Sequence, residues 1–273
     1  MGAEPRAADM AEDDDVVVVT SDGRRIRPVK SVARAVELLD QLGAHGEPMG
    51  LTELASAVGC SKTAAYNLVT TLELRGLVRK VADHRYVLGW KMLEWGEVVR
   101  LSSTFGEATR ARVVSLAEST GETAMLAVLD RDTVMCVEFV ESRRSVPIST
   151  FRGARQLANA GAPGQALLAF SPMSRRWRII ERLDPGGAEG LAELIGRVRA
   201  DGFAAVADGA EVAIAVPVFD YTGDAVASVA IVGPRSRLPD DRITELVGVV
   251  GEAGASITQA LGGADRGRIA FGA

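Results

Sequence analysis

The residues best suited to chemistry lie in one short stretch, SKTAAYNLVTTLELRGL, residues 61–77. Thr63, Tyr66, Asn67 and Thr70 recur at i, i+3, i+4 and i+7, which puts them on one face of a helix. Lys62 sits in the first turn of that helix, and Ser61 before it is a good N-cap. Short polar side chains on a helix face, with hydrogen-bond donors near the helix start, suit a helix that enters the DNA major groove. The face reads base edges and the donors hold phosphates. The chemistry implied is recognition, not catalysis.

A helix of this kind must be held by others. Leu51, Leu54, Ala55 and Val58 mark one face of a preceding short helix. Gly59-Cys60 breaks it, and Ala65, Leu68, Val69 and Leu72 give the second helix a buried face opposite the polar one. Gly76 stands where a left-handed residue commonly ends a helix. LVRK (77–80) and RYVL (85–88) then read as two strands around the turn Val81–His84. The order is helix, turn, helix, two-stranded wing: a winged helix-turn-helix. Arg79, Lys80, His84 and Arg85 add donors on the wing. The competing reading of the same residues is the solvated surface of a winged-helix protein-interaction module.

Charge needs care. The net formal charge is −5, which does not suit a DNA binder. Residues 1–15 carry six acids against Arg6, so that stretch holds the whole excess. Residues 29–90 carry seven Lys/Arg and six Asp/Glu. Affinity must come from where the charges stand and from dimerisation, not from a bulk basic field. At 273 residues, 47% apolar and 25% charged, the chain suits two globular domains. No apolar run approaches a membrane span, and the start is no secretory signal, so a soluble, cytoplasmic protein is expected.

Composition also restricts catalysis. The only histidines are His45 and His84, both in the first third, so the C-terminal two thirds cannot hold a Ser-His-Asp or Cys-His site. Cys60 and Cys136 lie far apart and read as small buried apolar residues in separate domains, not as a disulfide or zinc ligands. GAPGQA (161–166) lacks the Lys-Ser/Thr of a phosphate loop. Asp240-Asp241 stand at a helix start and read as caps. A carboxylate-only or serine-only hydrolase is the one enzymatic alternative. No cofactor and no metal is expected.

In chain order, residues 1–28 read as a flexible acidic tail, with Val16–Val19 a possible strand. A helix is expected from Ser31 to Gly43, buried along Val32, Val36 and Leu39, followed by a loop over 44–50. After the wing, residues 89–103 read as a linker helix whose Trp90, Leu93 and Val98 pack either within the domain or on another subunit. A helix near 104–119 precedes strands at 123–129, 133–140 and 145–150. A loop over 151–164 leads into a helix at QALLAF. Two more helices are expected near 174–183 and 188–200, then strands FAAV, 211–219 and 224–233, and a last helix from Pro239 to Leu261. That pattern makes an α+β domain over 104–263 with an antiparallel sheet. Residues 264–273 read as a loose end.

With those stretches in view, the chain resembles the IclR (isocitrate lyase regulator) family of bacterial transcription regulators. The likeness is carried in order by SVARAVELL, LTELASAVGCSKTAAYNLVTTLELRGLV, RYVLG, SLAESTGETAMLAVL, GAPGQALLA, VRADGFAAV, VPVFDYTGDAVASVAIVGP and the final helix. It implies a GAF-like C-terminal effector domain, a homodimer or tetramer, and a pseudo-palindromic double-stranded operator bound as repressor or activator. A winged-helix interaction module with a vestigial effector domain is the alternative.

The resemblance also shows departures. Asn67 stands where the family usually has arginine, which shifts the expected preference towards adenine. The ligand-cradling turn corresponds to Gly161, Ala162, Pro163 and Gly164, and the proline removes one N–H donor. Ala213, Ala230 and Val232 stand at positions the family often makes polar. The segment between Val206 and Val212 lacks the family's usual acidic pair. The resemblance thus implies an effector that is apolar or aromatic, not a two- or three-carbon acid; the alternative is a collapsed, empty pocket.

Overall fold

The computed structural model describes residues 18–19, 25–102, 105–144, 150–184 and 187–263. The backbone divides into two compact units, residues 1–99 and 100–273.

In the first unit, β1 (Val18–Val19) pairs antiparallel with β2 (Arg25–Ile26), so the expected tail contains a short ladder. The rest of residues 1–24, with the acidic run, lies outside the described residues. The first helix, α1, spans Lys30–His45. It passes through Gly43 and stops at Gly46, whose φ of 72° only glycine adopts readily. Its buried residues are Leu38 and Leu42, whereas Val32 and Val36 are exposed. The helix is rotated from the expected face because Leu38 and Leu42, four apart, meet the core that α2 and α3 offer. The presumed loop at 44–50 contains β3 (Met49–Gly50). Then come α2 (Leu51–Ala57), α3 (Lys62–Leu74), β4 (Val78–Lys80) and β5 (Arg85–Leu88). The wing is three-stranded, β3-β5-β4, because Met49 and Gly50 pair with Tyr86 and Arg85. Leu38, Leu54, Val69, Leu72, Val78 and Tyr86 close its core. α4 runs Lys91–Ser102.

The second unit is built on one six-stranded antiparallel sheet, in the order β8-β7-β6-β11-β10-β9. Its elements in chain order are α5 (Glu107–Thr120), β6 (Thr123–Asp130), β7 (Thr133–Val140), β8 (Arg155–Leu157), α6 (Ala162–Phe170), α7 (Met173–Leu183), α8 (Ala188–Asp201), β9 (Ala204–Asp208), β10 (Glu211–Phe219), β11 (Ala225–Pro234) and α9 (Asp240–Ala260). The strand β8 lies inside the expected loop at 151–164. Thr150 is outside any strand, and the rest of the expected strand, 145–149, lies outside the described residues, as do 264–273.

Both faces of the sheet are buried, which is why β10 and β11 read as nearly continuous apolar runs. Val212, Ile214, Val216 and Val218 alternate onto one face with Val229 and Ile231, and α5 and α9 cover it. Ala215, Ala230 and Val232 point to the other face, under α6, α7 and α8. A bulge at Val137 reverses the alternation in β7: Cys136 pairs with Ala127 and Glu138 with Leu126, leaving Val137 over. Cys136 therefore faces α6, while Glu138 faces α5 and meets Arg110 at 2.7 Å as well as Arg152. Glu122, almost wholly buried before β6, accepts from Nε and Nη2 of Arg237, at 2.8 and 2.5 Å. Such a pair is costly to break, because a lone buried carboxylate would be left.

Candidate nucleic-acid interface and effector cavity

The outward surface of the first unit starts at a cap. Ser61 Oγ accepts from the Ala64 N–H at 3.2 Å and fixes where α3 begins. From that start the 3.6-residue period puts Ala65, Val69 and Leu72 into the core. Lys62, Thr63, Tyr66 and Asn67 are left exposed, whereas Thr70 is half-buried at the edge. Tyr66 is 54% exposed, a large ring on an open surface. Past α3, Arg79, Lys80 and His84 on the wing are each exposed. The Arg79 guanidinium lies 5.2 Å from the Trp90 ring, and the Lys80 ammonium 5.9 Å from Tyr86. Asp83 and His84 turn the wing tip with φ of 56° each, the left-handed region. Ser61, Lys62, Thr63, Tyr66 and Asn67 are thus exposed on α3, and Arg79, Lys80 and His84 on the wing.

Arg85 is the exception. Its Nε donates to the Pro48 carbonyl at 2.7 Å and its Nη2 to Glu53 Oε2 at 3.0 Å. Glu53 Oε2 also accepts from the Gly50 N–H at 2.7 Å, which caps α2. That backbone bond, followed by the charge and hydrogen bond of Arg85, holds the Glu53 carboxyl below its ordinary pKa. Arg85 therefore ties the wing to the start of α2 while its side chain stays partly exposed. Sequence reasoning missed this because Glu53 and Arg85 are 32 residues apart, in different elements. Cys60 is another correction: it is half-buried at the turn, not a core residue.

The first unit also exposes apolar side chains. Val29, Val32 and Val36 on and before α1 are each more than half exposed, and so are Trp90, Leu93 and Val98 at α4. Packing among the described residues leaves more than half of each uncovered.

The second unit holds a cavity of about 230 Å³ on the α6 side of the sheet. Every strand contributes to it: Arg155 and Gln156 from β8, Val134 and Cys136 from β7, Met125 from β6, Val232 from β11, Glu211 and Ala213 from β10, Val206 and Asp208 from β9. Gly161 and Pro163 close it at the start of α6. Of the residues expected there, Gly161, Pro163, Ala213 and Val232 do line it. Ala162, Gly164 and Ala230 do not: all three are buried in packing. A side chain at Gly164 would meet the Ala158 carbonyl oxygen at 2.2 Å, so this glycine lets the backbone of α6 rest on the chain after β8. The cavity is not collapsed, and its rim is more polar than expected. Two carboxylates, Asp208 and Glu211, come from the very segment that seemed to lack an acidic pair. Strand alternation is the missed signal: Glu211 and Ala213 share one face of β10.

Cys136 is the only thiol in the described lining, and burial pushes it up to about 11. Its Sγ donates to the Glu138 carbonyl at 3.2 Å. A thiol held neutral in this way is a poor nucleophile.

The helix-turn-helix residues 31–82 match the model of the IclR helix-turn-helix domain, and residues 102–259 match that of the bacterial transcriptional regulator IclR C-terminal domain. The chain belongs to the IclR family of transcription regulators. It is 30% identical over 257 residues to the glycerol operon regulatory protein of Streptomyces griseus, covering 86% of this chain and 98% of that one. Among solved structures, an IclR regulator from Alicyclobacillus acidocaldarius superposes with a TM-score of 0.74 at 25% identity, over 86% of this chain and 100% of the other. An IclR homologue from Microbacterium hydrocarbonoxydans, solved with 4-hydroxybenzoate, shares the fold at 20% identity with a TM-score of 0.73, over 85% and 98%. This IclR-family chain is thus a DNA-binding, helix-turn-helix transcription regulator with an effector-type C-terminal domain. The relatives it matches are regulators, not enzymes, and no helix among its described residues is long and apolar enough to cross a membrane.

Proposed function

We propose that α3 enters the major groove of a pseudo-palindromic operator, with Thr63, Tyr66 and Asn67 nearest the bases. Lys62, Arg79, Lys80 and His84 contact flanking phosphates, and Ser61 holds the start of the helix. The observation that carries this reading is the polar face of α3, left open by a helix whose opposite face is core. Two such surfaces act together in a homodimer, alone or paired into a tetramer. The exposed Val32, Val36, Trp90, Leu93 and Val98 support that pairing, because a near-neutral winged helix gives a monomer few phosphate contacts. The protein works in the cytoplasm, where its operator is.

The cavity in the second unit takes the effector. Its apolar floor, Met125, Val134, Val206 and Val232, favours a ligand with an apolar or aromatic body, at about 25 cal/mol per Å² buried. The 4-hydroxybenzoate held by the Microbacterium homologue is a ring of that kind.

Operator selection from random DNA, done with wild type and Asn67→Ala, tests the DNA reading. The variant is expected to lose about 1–3 kcal/mol of discrimination at one position in each half-site and to keep the rest of the site. Unchanged affinity and preference in Asn67→Ala would remove the assignment. A monomer at micromolar concentration by sedimentation, with full operator affinity, would remove the dimer.

A further inference from the structure

One polar side chain of the cavity is seated against the backbone without being hydrogen-bonded there. Gln156 is the middle residue of β8 and stands opposite Val134 of β7, so its side chain takes the face on which Val134 lines the cavity. It lies on the start of α6. A Cβ at Gly161 would come within 2.6 Å of Gln156 Nε2 and 3.1 Å of its Oε1. The bare glycine is therefore the seat of the carboxamide. Gly161 has φ of −136°, an extended backbone open to any residue, so the turn itself does not require glycine. The neighbouring Arg155 is already committed: its Nη2 lies 2.7 Å from Asp130 Oδ2, and its Nη1 donates to Thr133 Oγ1 at 3.0 Å. Gln156, by contrast, is exposed, and among the described residues nothing hydrogen-bonds its carboxamide.

A carboxamide carries an acceptor and a donor side by side. While the cavity is open, water serves both. A ligand that covers Gln156 removes that water, and an end left unmatched loses more than a matched end gains. The apolar floor takes the body of the ligand, and the carboxamide then sorts head groups. A head that only accepts leaves Oε1 without a partner, and a head that only donates leaves Nε2 without one. We infer that Gln156, seated on Gly161, is the specificity determinant of the cavity. It selects a ligand whose head both donates and accepts, a carboxamide or a hydroxyl on an apolar or aromatic body. The inference rests on the reading of this cavity as the effector site.

Benzamide and acetophenone have nearly the same shape, and only benzamide donates. In calorimetric titrations of the full-length protein, benzamide is expected to bind about three- to tenfold more tightly, the size of one neutral hydrogen bond. In Gln156→Ala that preference is expected to vanish while acetophenone still binds. In Gly161→Ala the new methyl group pushes the carboxamide from its seat, and the preference is expected to vanish there too. The double variant should match either single one, because both remove the same contact. Operator binding checks that each variant folds. Equal affinity for the two probes in the wild type, or a preference that survives Gln156→Ala, overturns the inference and leaves the effector reading standing. A preference lost in Gln156→Ala but kept in Gly161→Ala overturns the seating on Gly161. No saturable binding of either probe, with operator binding intact, strikes the effector reading of the cavity and the inference with it.

Discussion

On α3 the candidate contacts lie within seven residues of chain, Ser61 to Asn67. The lining of the cavity in the second unit is drawn from Met125 to Val232 and from all six strands of the sheet. The first is a face, the second a half-open pocket. Each side chain on the face is exposed and acts nearly alone, so its removal subtracts one contact. The cavity is walled by side chains from many elements, so no single one of them defines it. The difference extends to what holds each site in place. The position of α3 is set by a cap and an apolar stripe on the helix itself. The cavity depends on strand register, on the bulge at Val137 and on the seating of α6 against Ala158.

Two glycines give the sharpest test of that contrast, and the largest effect. A Cβ at Gly89 would lie 2.0 Å from the Gly76 carbonyl oxygen, where the end of the wing passes the turn after α3. A Cβ at Gly164 would meet the Ala158 carbonyl oxygen at 2.2 Å. Both obstacles are backbone and cannot swing aside. Gly89→Ala and Gly164→Ala are each expected to destabilise their own unit by roughly 3 kcal/mol. Gly89→Ala should lose operator binding while the cavity still binds its ligand. Gly164→Ala should lose the ligand and keep the isolated affinity for DNA. Denaturation curves together with both binding assays on both variants decide it. Equal loss of both functions in either variant would mean the units are not independent.

Local patterns were the legible part of this chain. Strands 133–140 and 211–219 and the cap at Ser61 stand where periodicity and capping chemistry put them. Whatever depends on distant partners was not legible. The face of α1 follows from Leu54 and Val69, not from its own pattern, which offers Val32 and Val36 just as readily. The strands β3 and β8 are two and three residues long, too short for any alternation to show, and each exists only because a neighbour offers its edge. The ties of Arg85 to Pro48 and Glu53 were hidden because those residues belong to other elements. The acidic rim of the cavity was hidden in the same way. Asp208 and Glu211 flank a turn, and only the β9–β10 pairing sets them opposite each other on the face of Val206 and Ala213.

Lys62 and Arg85 refine the comparison within the first unit, at a smaller scale. Both are basic and both lie near the recognition face, but only Arg85 has internal partners among those described. Lys62→Ala is expected to weaken binding to all sequences alike and to lower the salt slope by about one. Arg85→Ala should leave the salt slope unchanged and instead lower stability by roughly 1 kcal/mol, since its hydrogen bonds are partly open to solvent. The Glu53 link has its own pH signature. Because the folded-state pKa of Glu53 is depressed, its contribution is present above the ordinary glutamate range and is lost as the pH falls through the lowered value. Denaturant midpoints across acid pH, with wild type and Arg85→Ala, show whether the difference between them shrinks as the pH falls. A lower salt slope in Arg85→Ala would return that residue to the DNA surface.

The two cysteines carry the same contrast down to an effect that shifts no binding constant. Cys60 stands half-buried at the turn before α3, and Cys136 lines the cavity behind α6. Burial disfavours the thiolate of Cys136, and the carboxylate of Glu138 adds to it, so the thiol titrates at about 11. At pH 8 only about one molecule in a thousand then carries the reactive thiolate. The expected result with a small alkylating reagent is rapid labelling at Cys60 and slow labelling at Cys136, the latter rising steadily with pH toward 11. The sign for stability follows the same direction. A raised folded-state pKa favours the native state fully below the ordinary thiol range, and that benefit is lost as pH climbs from there toward 11. A ligand that fills the cavity should slow Cys136 further and leave Cys60 untouched, which makes the ratio of the two rates a direct report of occupancy. Mass spectrometry of peptides from timed reactions measures that ratio. Equal rates at neutral pH would mean that the enclosure around Cys136 opens as readily as the turn at Cys60, and the distinction between a face and a cavity would fall with it.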